Sequence, residues 1–127
     1  MRRLLDNLRK KNQYYNELFN IVSGMIYALR NGREDEFRML TDKRTEMMKA
    51  IDLLDNDRRK LVSSMNKAVQ PHVKNLILCR EEPKDVTEKS IYLMSQENRK
   101  LLRKIMTYTK NLDMQVKMVI SQAKKTQ

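Results

Sequence analysis

"NGREDEFRMLTDKRTEMMKAIDLLDNDRRKL", Asn31 to Leu61, decides the fold. About half of its residues are charged, it holds no proline, and its one glycine stands next to its start. Beneath the charge runs a helical beat. Phe37, Leu40, Met47, Ile51, Leu54, Leu61 and Met65 follow one another at steps of three and four once Arg44 and Arg58 are counted into the inward slots. That spacing predicts one long helix over 33–69, opened by Glu34, Asp35 and Glu36, whose charges suit the positive end of a helix dipole. At 1.5 Å per residue it would be on the order of 55 Å long. The two inward arginines are expected to reach across to acids or polar groups, or to stretch their charge to the edge of the rod.

Towards the N-terminus a second stripe appears at Leu4, Leu8, Tyr15, Leu18, Val22, Met25 and Leu29, with Lys11 as an interruption. It predicts an amphipathic helix over 3–30, closed at Asn31-Gly32, where both residues tolerate the left-handed conformation that ends helices. So short a turn folds the second helix back along the first as an antiparallel hairpin.

Towards the C-terminus Pro71 is expected to end or kink the second helix, and Pro83 punctuates again. Between them "PHVKNLILCR" predicts a short helix or turn over 71–80. Asp85 and Glu88, three apart, form a capping pair for a last helix over 86–122. Its stripe is Ile91, Met94, Asn98, Leu101, Ile105, Tyr108, Leu112 and Val119, widened by Leu102, Val116 and Ile120. From Arg99 to Lys125 the same helix carries eight basic residues and one acid, Asp113. The predicted fold is all-α: an elongated antiparallel helical hairpin plus a long C-terminal helix, a three-helix coiled-coil-like bundle in a single domain over 1–127.

Composition narrows the function. The net charge of +11 is uneven: about +4 over residues 1–31, about +1 over 32–70 and about +6 over 71–127. No apolar run reaches the roughly 18 residues a membrane span requires, and charges break up the opening "MRRLLDNLRKKNQYY", so no membrane span and a cytoplasmic location are expected. Cys79 and His72 are the single cysteine and histidine of the chain. Alone they support neither a disulfide nor a His-rich metal site. Two glycines, Gly24 and Gly32, cannot build a phosphate loop, and Glu34, Asp35 and Glu36 are better explained as helix-start charges than as an acid-base site. No enzymatic activity, cofactor, metal or small-molecule substrate is expected. Methionine is abundant, with ten residues. Met94, Met106, Met114 and Met118 on the last helix suit either irregular core gaps or a surface that accepts partner helices.

Two stretches carry a likeness. "ALRNGREDEFRMLTDKRTEMMKAIDLLDNDRRKL" places Leu29, Gly32, Leu40, Lys43, Arg44, Ile51, Leu54, Arg58 and Arg59 in a pattern of glycine turn, inward leucine, basic residues and leucine-rich close. "LMSQENRKLLRKIMTYTKNL" adds Asn98, Leu101 and Leu102, followed by Ile105 and Asn111. Together they resemble the flagellar export chaperones of the FlgN family, with the related FliT-type chaperones sharing the helical-hairpin plan. The resemblance implies a cytosolic chaperone for type III protein export in flagellum biogenesis, monomeric or homodimeric. It would bind the C-terminal helical region of hook-filament junction proteins, prevent their premature assembly, and meet the export apparatus. It also implies a partner-binding line on the last helix: Met94, Asn98, Leu101, Leu102, Ile105, Tyr108 and Leu112. Two alternatives stand beside it. The stripes would also suit a structural coiled-coil homo-oligomer, and the basic face a nucleic-acid-binding adaptor.

Overall fold

The computed structural model describes residues 1–125; the last two residues of the predicted domain lie outside them. The chain folds as α1 (Arg2–Arg30), α2 (Glu34–Ser63), α3 (Gln70–Ile77) and α4 (Val86–Lys125), an all-α bundle. α1 is the central strut. Both α2 and α4 pack along it, whereas α2 and α4 do not pack along each other.

The predicted hairpin forms as its turn chemistry requires. After Arg30 the chain closes with Gly32 at φ +65°, its N–H reaching the Leu29 carbonyl at 3.4 Å and the Arg33 N–H the Ala28 carbonyl at 2.9 Å. These are the paired bonds of a left-handed helix stop, which glycine adopts without a Cβ penalty. α2 then starts on the three acids. Gly24, inside α1, lets α2 approach closely: a Cβ there would stand 3.0 Å from Leu40 Cδ1. Of the α1 stripe, Leu4, Leu8, Tyr15, Leu18, Val22 and Met25 are all buried.

α2 ends at Ser63, well short of the predicted residue 69. Polar side chains compete here for the backbone. The Ser64 hydroxyl donates to the Leu61 carbonyl at 2.8 Å, and Asn66 accepts from the Ala68 N–H at 3.0 Å. Gln70 closes the turn by donating to the carbonyls of Met65, at 2.9 Å, and Ser63. Pro71 therefore ends nothing. It lies in the first turn of α3, where its missing N–H costs no hydrogen bond.

α3 runs back up beside α4. His72 meets Glu88 in the first turn of α4, and the Arg99 guanidinium, further up, donates to the Leu78 carbonyl. Its inward residues Val73 and Leu76 join Leu4, Leu5, Leu8, Val62 and Ile91 in one core cluster. A second cluster, Tyr15, Leu18, Val22, Met25, Ile26, Ile51, Ile105 and Leu112, continues up the rod. The lower end is thus a four-helix bundle and the upper end has three helices. α4 begins at the predicted cap, the Glu88 N–H donating to Asp85 Oδ1 at 2.8 Å, and extends to Lys125, three residues beyond the prediction.

α1 and α4 are parallel. Asn98 donates to the Leu8 carbonyl at 3.1 Å, Tyr108 meets Phe19 edge to face at 4.7 Å, and Arg30 donates to Gln115 at 3.2 Å. Past Gln115, α4 continues beyond the end of α1.

Candidate functional site

The eight residues of α3 fill the space between α2 and α4 at one end only. Beyond Leu78 the same slot stays open over α1. Its lower part, about 150 Å³, is lined by Leu8, Lys11 and Tyr15 of α1, Arg58 of α2, Ile77 and Leu78, and Ser95, Asn98, Arg99 and Leu102 of α4. Its middle, about 320 Å³, has Leu18 and Val22 as a floor, Arg44 and Met48 as one wall, and Leu102, Ile105, Met106, Thr109 and Lys110 as the other. At the hairpin turn a further hollow of about 250 Å³ lies among Leu29, Phe37, Arg38 and Val119. The floor comes from α1 and the walls from α2 and α4, with Ile77 and Leu78 at the end of α3 closing the bottom. From Arg99 to Val119 the α4 wall is on the order of 30 Å long, five to six helical turns.

Why the slot stays open follows from the side chains at its edges. Where α2 would close on α4, it presents Arg44 and Met48; α4 presents Leu102, Met106 and Lys110. Long charged side chains on both edges resist desolvation and hold the helices apart. Met48, Leu102 and Met106 are left 48%, 38% and 54% exposed.

Charge in the slot is one-sided. Lys11 reaches Asp55 at 2.7 Å, and Arg58 reaches the same oxygen at 3.0 Å. The predicted reach of Arg58 to an acid is therefore made to its own helix, and the bond between helices comes from Lys11, the interruption of the α1 stripe. Arg38, Arg44, Arg99 and Lys110 carry no ion pair among the described residues. The Ser95 hydroxyl is buried at the lower end with no hydrogen-bond partner among the described residues.

The predicted partner line divides between core and slot. Ile105 and Leu112 are buried in the cluster they share with α1, and Asn98 is buried with its amide on the Leu8 carbonyl and its oxygen accepting from Asn12 at 3.0 Å. Leu101 and Tyr108 pack partly buried on that cluster, and Met94 on the lower one. Leu102 is exposed. With α4 docked, the line is mainly the face it turns to α1. The slot adds Arg44, Met48, Met106 and Lys110. Of these, the sequence marks Arg44 as an arginine whose charge can stretch to the edge of the rod, and Met106 and Lys110 as parts of a methionine-bearing basic helix, whereas Met48 has no signal of its own.

His72 and Cys79 have separate partners. His72 Nδ1 lies 2.5 Å from Glu81 Oε2 and Nε2 lies 2.7 Å from Glu88 Oε1, so both ring nitrogens are engaged by carboxylates. Those two hydrogen bonds raise the His72 pKa, the Glu81 bond first, and the same bond lowers that of Glu81. Both effects describe an imidazolium clamp between α3 and the start of α4. Cys79 stands at the α3 stop with φ 58°, its sulfur near the Tyr92 and Ile77 carbonyls. Among the described residues no group of three or more His, Cys, Asp or Glu is placed to hold a metal ion, and no helix is long and apolar enough to cross a membrane.

No family model, curated protein or solved structure matches this chain.

Proposed function

We propose that this protein is a helix-holding chaperone of the flagellar export type, FlgN-like. In this reading it binds the C-terminal helical region of hook-filament junction subunits in the cytoplasm and keeps them from assembling before export. The observation that carries the reading is the open slot over α1. A bundle that is four-helical at one end and three-helical at the other has room for a helix from another chain, and helix-in-groove binding uses an apolar floor with polar edges. The resemblance in the hairpin and in "LMSQENRKLLRKIMTYTKNL" supplies the class of cargo.

Two routes lead a cargo helix onto α4. In one, α4 lifts from α1 and offers Met94, Asn98, Leu101, Ile105, Tyr108 and Leu112; in the other, α4 stays docked and the cargo enters the slot against Leu102, Met106 and Met48. Lifting α4 would expose Ile91, Ile105 and Leu112, which are buried to 0%, 5% and 1% exposure, and would break the Asn98 bonds. The slot route has no such cost. Burying an apolar side chain contributes roughly 1.5 to 3 kcal/mol, so four or five cargo residues suffice for micromolar binding once ordering costs are subtracted.

Size-exclusion chromatography with light scattering, on the full chain mixed with C-terminal segments of junction subunits, tests the reading. A one-to-one complex that survives high salt is expected, lost in Leu102→Asp and Met106→Asp and kept in Lys49→Ala, with all three variants folded by circular dichroism. A homo-oligomer that ignores every segment would overturn it.

A further inference from the structure

The edges of the slot say what kind of helix fits it. From the lower end upwards, Lys11, Arg58, Arg99, Arg44, Lys110 and Arg38 stand around the apolar floor, and the one acid beside the lower three, Asp55, is shared between Lys11 and Arg58. Even there, three cations against one carboxylate leave two positive charges unmatched. Arg44 and Lys110 face the middle from opposite walls, each without an ion pair among the described residues. Glu34, at the hairpin turn, is the acid among the lining residues of these three parts.

α3 shows what the slot accepts. It lies between α2 and α4 and buries Val73 and Leu76 inward, while its edge carries Lys74 towards the α2 side, so it is a guide to the apolar face of an occupant and not to its charge. The open part continues its row, with Leu18, Val22, Ile105 and Leu102 in place of the lower cluster.

We infer that the slot is a docking site for an amphipathic helix of about 20 residues whose apolar face is flanked on both edges by glutamate or aspartate. The occupant belongs to a partner rather than to a second copy through α4, because α4 is itself basic: eight Lys and Arg stand against Asp113 between Arg99 and Lys125, and the stretch past Gln115 carries Lys117, Lys124 and Lys125 with no acid. Two such edges would repel it. Nucleic acid fits less well: its phosphates would find the rims, but the middle of the floor is aliphatic, and the aromatic rings that line the slot, Tyr15 and Phe37, stand apart at its two ends and offer bases no continuous platform. This inference rests on the slot being the binding site of the chaperone reading, and it specifies the partner's charge, which that reading leaves open.

Two synthetic 20-residue helical peptides with the same leucine face, one flanked by glutamates and one by lysines, decide the matter. Fluorescence anisotropy against the full chain is expected to give on the order of tenfold tighter binding for the glutamate peptide at about 0.1 M salt, with the gap narrowing as salt screens the rims. Arg44→Glu combined with Lys110→Glu, the first half-buried and the second exposed on the opposite wall, is expected to reverse the preference, and Leu102→Asp to abolish binding of either peptide. An excess of single-stranded oligonucleotide is expected not to displace the peptide. Equal affinities, preference for the lysine peptide, no binding by either, or displacement by the oligonucleotide would overturn the inference. The two proposals fail separately. Junction-subunit segments that bind while the peptides show no charge preference leave the chaperone standing and remove the acidic edges. Glutamate-peptide binding with no junction segment bound does the reverse.

Discussion

The side-chain amide of Asn98 on α4 donates to the backbone carbonyl of Leu8 on α1 at 3.1 Å, 90 residues away in sequence. Its oxygen accepts from Asn12 at 3.0 Å, so one buried amide fixes how far α4 has slid along α1. A polar group in an apolar seam sets register at some cost in stability. Asn98→Ala is expected to destabilise the fold by about 1–3 kcal/mol, because the Asn12 amide loses its acceptor as well. Urea denaturation followed by circular dichroism measures this; a change below about 0.5 kcal/mol would mean that the seam alone sets the register.

Asp55 holds two cations, and removing the three partners one at a time should not cost the same. Asp55→Ala leaves Lys11, whose side chain is 12% exposed, beside Arg58 with no counter-charge. Lys11→Ala leaves Asp55 with Arg58. The first is expected to cost about 1–3 kcal/mol and the second under about 1 kcal/mol, since Asp55 remains paired and partly hydrated. A double-mutant cycle between Lys11 and Asp55 checks the order, which would be wrong if the two single variants were equal.

Two helices stop in the same left-handed way with different residues. Gly32 ends α1, and Cys79, at φ 58°, ends α3, with its N–H on the Leu76 carbonyl at 3.1 Å and the Arg80 N–H on the Asn75 carbonyl at 2.8 Å. Gly32→Ala is expected to destabilise by about 1 kcal/mol from backbone strain alone, since nothing lies within 4 Å of the new Cβ. Cys79→Gly is expected to stabilise by up to about 1 kcal/mol, while Cys79→Ala brings no gain. Thermal denaturation of the three variants shows the pattern, and a loss of stability in Cys79→Gly would mean the sulfur contacts outweigh the strain.

The His72 clamp carries a pH signature. The His72 pKa is raised above 6.5, so its contribution is fully present below about 6.5 and is lost as pH rises through the folded value. The Glu81 pKa is lowered below 4.5, so its contribution is present above 4.5 and is lost as pH falls through the depressed value. The clamp is therefore complete between the two ordinary values and loosens on either side, as His72 loses its proton or Glu81 gains one. Titration of the His72 ring by NMR is expected to give a midpoint above 6.5. His72→Gln is expected to flatten the fall in melting temperature between about pH 6 and pH 9; parallel curves for the two proteins would show that the clamp does not couple to folding.

Much of this architecture was legible because periodicity reports which residues of one helix face inward. The α1 stripe and the hairpin turn at Gly32 appear where Leu4 to Leu29 and Asn31-Gly32 place them. On α4, Ile91, Asn98, Ile105 and Leu112 are buried, as the main stripe predicts. The end of α2 falls short of residue 69 because Ser64, Asn66 and Gln70 draw the backbone out of the helix before Pro71 is reached, and proline spacing alone does not show that competition. The slot was not legible. Its walls depend on the angle between two helices that touch a third, and a stripe on one helix carries no information about that angle. Leu102 looked like a widening of the seam, yet it turns to the gap, and Arg44 and Met48 acquire meaning only once α4 stands across from them.

The parallel pairing of α1 with α4 also sets an order of events during synthesis. α2 follows α1 directly, so the hairpin can zip from its turn as soon as both have left the ribosome. The residues that meet α4, by contrast, wait for partners 85 to 90 positions later in the chain. At ordinary elongation rates that wait is on the order of ten seconds, far longer than a hairpin of helices takes to form. Throughout it Val22, Leu18 and Tyr15 lie bare on one side of a finished hairpin. The nascent chain thus passes through a state with an open apolar flank, and the last helix made is the one that covers it.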